Sequence, residues 1–172
     1  MQTIPTAAIA LAVAIAPAAA SPASQSPAAP SPAAPSTVTL DYKGKPVNAY
    51  RGYHPDFPAA FVGAPLCENG QAMSDARSSC IQLNRDGTGT WENDRGPGRV
   101  EPAAPIEWFI VADQKGTVTK VGTAERDSYF VILRFTQSYY SAPAGTMRAF
   151  PANIVRGAPT RAVIDSKYRN LE

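Results

Sequence analysis

Cys80-Ile81-Gln82-Leu83-Asn84-Arg85-Asp86-Gly87-Thr88-Gly89-Thr90-Trp91 reads as a β-hairpin with a cysteine at one end. Ile81 and Leu83 alternate with Gln82 and Asn84, which gives one apolar and one polar face, the two-residue period of a half-buried strand. Asp86-Gly87 is a turn signal, because a tight hairpin needs a residue that tolerates positive φ. Thr88, Thr90 and Trp91 suit the returning strand. With this hairpin in place the domain is expected to be antiparallel β, and the other strand signals are read as its neighbours.

Upstream, Thr37 to Tyr42 alternates, Lys43-Gly44 turns, and Lys45 to Tyr50 returns as an opening hairpin. The stretch from Tyr50 to Phe61 interleaves aromatics with Gly and Pro. Pro55 and Pro58 argue against a central strand, so it is read as a loop rich in aromatic side chains. Phe61 to Ala64 is short and apolar, either a strand or part of the core. Between the cysteines, Gln71 to Arg77 is read as a short helix, with Ser74-Asp75 as a competing turn.

Downstream, Glu92 to Arg99 is a polar Gly/Pro connection, and Pro105 to Ala112 is a buried strand rich in β-branched and aromatic residues. Asp113 to Gly116 turns and Thr117 to Val121 alternates back. In the strand Ser128 to Phe135, Tyr129, Val131, Leu133 and Phe135 line one face and Phe130, Ile132 and Arg134 the other. A loop through Tyr139, Tyr140 and Ala142 to Gly145 precedes two further strands, Met147 to Phe150 and Arg161 to Tyr168, separated by Pro151 and Gly157-Ala158-Pro159. Eight to ten short strands over residues 37 to 172 define an all-β class, an antiparallel meander forming a small barrel or barrel-like sandwich with one disulfide and at most one short helix. So many strands leave edges that need covering, which favours closure.

The start of the chain differs. Ile4 to Ala20 is apolar, too short and Ala-rich for a membrane span, and ends in Ala18-Ala19-Ala20 before Ser21. Residues 1–20 are therefore expected to be a signal peptide, although Met1-Gln2-Thr3 contains no Lys or Arg. Residues 21–36 repeat Ser, Pro and Ala and read as a disordered spacer with nothing apolar enough to offset the entropy of ordering. Export implies a secreted or periplasmic protein with no stable membrane insertion after cleavage. Cys67 and Cys80, the only two cysteines, are then expected to form a disulfide. In the chain-entropy account, closing that loop stabilises the fold by roughly 3 kcal/mol.

The motifs with chemical meaning are few. Asn84, Asp86 and Gly87 resemble part of a calcium loop, but with Gly87 sixth, Gln82 stands first and Asn93 last, so the closing acid is missing. Gly87-Thr88-Gly89 and Gly96-Pro97-Gly98 lack the lysine and third glycine of a phosphate cradle. His54 is the sole imidazole and no serine lies in a Gly-x-Ser-x-Gly elbow, so no catalytic residue, metal ligand or cofactor is assigned. Basic residues are scattered singly at a net charge of +2, which gives no nucleic-acid footprint. Glu107, between Ile106 and Trp108, either faces solvent or is partly buried; the solvent-facing reading is preferred. Trp91, Trp108 and Phe61 are read as core.

Leu83 to Trp91, followed by Ile106-Glu107-Trp108 and a meander, resembles the central hairpins of small bacterial lipocalin-like (calycin-type) secreted proteins. That resemblance implies an antiparallel barrel with an apolar cavity, and it carries over no ligand. The expected function is non-catalytic binding of a small apolar ligand, in a barrel cavity or at its aromatic mouth, with Tyr50, Tyr53, His54, Phe57, Tyr139 and Tyr140 as binding residues. Two other classes stay open. One is an inhibitor-type envelope protein that docks another protein on aromatic loops 50–61 and 137–146; the other is a hydrolase using buried carboxylates.

Overall fold

The structure, a computed structural model, describes residues 36–68, 79–92 and 103–171. The expected signal and nearly all of the spacer, the short helix over 71–77 and all but the first residue of the 92–99 connection lie outside the described residues.

Eleven strands follow one another: β1 (Thr37–Tyr42), β2 (Lys45–Arg51), β3 (Leu66–Cys67), β4 (Cys80–Leu83), β5 (Thr88–Trp91), β6 (Ala104–Val111), β7 (Lys120–Gly122), β8 (Arg126–Phe135), β9 (Met147–Val155), β10 (Thr160–Ile164) and β11 (Lys167–Leu171). The only helical element among the described residues is a 3-10 turn, Ala59–Phe61. All pairings are antiparallel. They run β6-β5-β4-β3-β11-β10-β9-β8, and β8 pairs back onto β6, so eight strands close a barrel.

The β4–β5 hairpin forms as its sequence requires. Ile81 faces Trp91, Gln82 faces Thr90 and Leu83 faces Gly89. The Gly87 N–H donates to the Asn84 carbonyl at 3.2 Å, and Gly87 takes φ +86°. This is the turn-plus-glycine pattern of a short hairpin loop. The opening hairpin β1–β2 also forms, with Lys43 and Gly44 both at positive φ.

Gly52 and Gly87 then fit the two hairpins together. A β-carbon on Gly52 would lie 2.6 Å from the Gly87 nitrogen and 2.7 Å from the Arg85 carbonyl oxygen. Trp108 donates its N–H to Gly87 O at 2.9 Å and accepts from Gly52 N–H at 3.1 Å. One edge of β6 is thus shared, by β5 up to Glu107 and by β2 from Phe109 onward.

Alternation sorts the side chains as the β8 pattern predicts. Tyr129, Val131, Leu133 and Phe135 point into the main core with Ile106, Trp108 and Ile110. On the outer face, Ile132 and Phe109 are covered by Leu40, Ala49, Val38 and Val47 of the opening hairpin, which builds a second, smaller core.

Three strand readings need correction. Thr117 to Val121 does not return along β6: after a single bridge, Ala112 to Val118, the chain crosses to pair as β7 with β8. Pro151 does not end a strand. Arg156 N–H donates to Glu125 and Phe135 N–H to Thr146, so even-numbered residues of β9 face β8, and the Pro151 nitrogen faces β10. The β10 ladder stops one residue short, at Ala152–Ile164, where no donor is needed. Finally, Arg161 to Tyr168 is a hairpin. Asp165 takes φ +55° and reverses the chain between Ile164 and Lys167.

Strand direction fixes which loops share an end. The first end carries loop 52–65, turn 84–87, connection 112–125 and turn 156–159. The second end carries loop 136–146 and turn Asp165–Ser166; β3 and β5 also end there, and β4 and β6 begin there.

Candidate functional site

The six residues expected to bind ligand divide between the two ends. Tyr50, Tyr53, His54 and Phe57 belong to the first. Phe57 is 1% exposed, with its ring 5.0 Å from Phe61, 5.8 Å from Trp108 and 5.5 Å from Tyr129. Prolines and glycines keep loop 52–65 out of the sheet, and the loop turns these two phenylalanines inward as a plug. Arg169 donates to the Ala60 carbonyl, tying β11 to the plug, and burial lowers its pKa.

The rest of this end is held by ordinary polar contacts. Tyr50 donates its hydroxyl to Gly116 O at 2.6 Å and packs 4.3 Å from His54. His54 Nδ1 accepts the Asp56 N–H at 3.2 Å. Tyr53 is half-buried beneath the Arg85 guanidinium, 4.2 Å from its ring centre.

Tyr139 and Tyr140 belong to the second end, in a small reverse turn where Tyr139 and Ala142 exchange backbone hydrogen bonds of 2.8 and 2.9 Å. Tyr140 sits at its tip with φ +52°, a conformation an L-residue adopts at a cost of about 1 kcal/mol, and is 38% exposed. Tyr139 stacks on Phe135 at 5.8 Å and meets Tyr140 at 4.4 Å. Phe135 leads to Trp91 at 6.1 Å, and Trp91 stacks on Phe150 at 5.5 Å. Five aromatic rings thus adjoin at one barrel end, and three of them, Tyr139, Tyr140 and Phe150, are at least partly open to solvent.

Two cations join them. Lys167 Nζ lies 4.6 Å from the Trp91 ring centre, and the Arg148 guanidinium 5.9 Å from Trp91 and 5.6 Å from Phe135. Sequence reasoning missed Phe135, Phe150, Arg148 and Lys167 as members of this group. The signal for Arg148 and Phe150 was the alternation Met147-Arg148-Ala149-Phe150, which puts both inward; Lys167 was hidden by the unrecognised turn at Asp165.

Acidic residues of the wall are engaged with cations. Glu107 faces outward, partly exposed between Arg51 at 3.1 Å and Arg134, which donates from Nε at 2.9 Å. Asp127 sits between Lys120 at 3.4 Å and Arg156 at 2.6 Å. Among the described residues no group of three or more His, Cys, Asp or Glu could hold a metal ion.

Geometry thus defines a closed eight-stranded antiparallel barrel, plugged at one end and ringed by aromatics at the other. Comparison with protein-family models, curated proteins and solved structures finds no match to this chain.

Proposed function

We propose that this chain is an exported, non-catalytic binding protein of lipocalin-like design whose small apolar ligand docks at the second end of the barrel. The observation that carries the reading is the unequal treatment of the two ends. At the first, Phe57 and Phe61 are almost wholly buried; at the second, Tyr139, Tyr140 and Phe150 are partly exposed. Tyr140 supports it further, because a tyrosine held at φ +52° is a costly choice for a turn tip where glycine would serve. Export is supported by the Cys67–Cys80 disulfide, a bond that persists in oxidising compartments.

Docking of another envelope or secreted protein is a second reading, favoured by Val121 and Phe130, 55% and 36% exposed on the outer wall. Native mass spectrometry of the protein from its own host, before and after denaturation, separates the two. A small molecule lost on denaturation is the expected result; an empty monomer that instead captures a protein partner would replace the first reading with the second.

A further inference from the structure

We propose that the second end of the barrel selects anionic amphiphiles, molecules with a carboxylate or sulfonate on an apolar body. The proposal rests on the reading of that end as the binding site. Inward positions of a filled small barrel are normally apolar. Here β9 points Arg148 inward with Phe150, and β11 points Lys167 inward opposite Ile164, so two cations flank the same indole.

The rings beneath the two cations stabilise them only in part. Lys167 is 1% exposed, and the carboxylate paired with it among the described residues, Asp165, is 3.6 Å away with a side chain 39% exposed. Burying an ammonium against so loose a partner costs several kcal/mol, and a methionine would fill the same space without that penalty. Arg148 is exposed and makes no ion pair among the described residues. Its guanidinium is held over Trp91 and Phe135, and it donates to no carboxylate among the described residues.

Among the described residues, no other acid at this end is ion-paired with Arg148 or Lys167. Glu68 accepts from the Ser166 hydroxyl at 3.1 Å, and Glu92 follows inward-facing Trp91, so it leaves β5 on the outer side. An incoming anion would meet Arg148 first, with Lys167 adding attraction from below, while its apolar body lies on Phe150, Tyr139 and Tyr140. Charge-assisted hydrogen bonds to a guanidinium are roughly twice as strong as neutral ones, and the aromatic floor excludes water from one side.

Two dyes with nearly the same aromatic body test this: anilinonaphthalene sulfonate, an anion, and N-phenylnaphthylamine, which is neutral. Both are titrated by fluorescence into the full chain and into Arg148→Gln, Lys167→Met and Tyr139→Ala, with near-ultraviolet circular dichroism reporting native packing. The expected result is about tenfold tighter binding of the anionic dye. Arg148→Gln should erase the preference, Lys167→Met should reduce it, and Tyr139→Ala should weaken both dyes alike. Equal binding of the two dyes, still weakened by Tyr139→Ala, would leave the binding site standing and overturn the anion preference. A preference that survives in folded Arg148→Gln would also overturn it, and no binding of either dye would remove the site itself. Arg148 is exposed, so its variant remains informative if Lys167→Met does not fold.

Discussion

Asp86 shows how much a single turn residue can hold. Its carboxylate accepts from the Thr88 hydroxyl at 2.7 Å and from the Thr88 N–H at 2.9 Å, and these bonds hold its pKa below the ordinary 3.8. On acidification the unfolded chain therefore takes up this proton before the folded one does. The stabilisation is complete above the ordinary carboxylate value and is lost as pH falls through the lowered folded value. Asp86→Ala should lower the melting temperature at about pH 7, and the loss should shrink as pH falls below the ordinary carboxylate value, a trend that paired thermal melts would show. Gly52 presents a stricter case, because positive φ and a backbone contact coincide there. Gly52→Ala should cost about 3 kcal/mol in urea unfolding, and a loss under about 1 kcal/mol would mean that the crossing with Gly87 is looser than described. Tyr140 reverses the logic. Tyr140→Gly removes the strain but adds chain entropy, so stability should stay within about 1 kcal/mol of the parent while affinity for apolar dye falls.

Elements were legible where local chemistry names both a strand and its turn. β4–β5 and β1–β2 are cases in point, since Asp86-Gly87 and Lys43-Gly44 announce positive φ before any tertiary contact is known. Legibility failed where the partner decides. Whether Pro151 breaks β9 depends on where β10 ends, and whether residues 161–168 are one strand or two depends on Asp165 adopting φ +55° with no glycine to signal it. The two-residue strand β3 is a further example. Leu66 and Cys67 carry no periodicity, yet they link β4 to β11 and so complete the ring. Because β3 offers so few backbone hydrogen bonds, the disulfide from Cys67 to Cys80 should matter more than its loop length alone implies. Denatured, unreduced protein should show no reactive thiol, and the double change of Cys67 and Cys80 to Ser should lower stability by about 2–4 kcal/mol. A loss near zero would show that β11 and β4 hold β3 without the bond.

At the scale of the molecule, the sequence names aromatic loops but not the end of the barrel to which each belongs. Tyr53 and Phe57, like Tyr139 and Tyr140, are aromatic residues in Gly/Pro surroundings, and only the circuit of strands separates them. Loop 52–65 enters β3 at the first end, whereas loop 136–146 joins β8 to β9 at the second, so one set becomes plug and the other rim. Phe57 tests this division directly. Truncating a fully buried phenylalanine should cost about 3–5 kcal/mol, and Phe57→Ala should leave an apolar void beneath Trp108 and Tyr129. If ligand binds at the second end, folded Phe57→Ala should bind N-phenylnaphthylamine there with the parent's affinity, and any added binding in the new void should persist when Tyr139→Ala is combined with it. If Phe57→Ala instead abolishes all binding while the fold survives, the plug is the recognition surface and the roles of the two ends exchange.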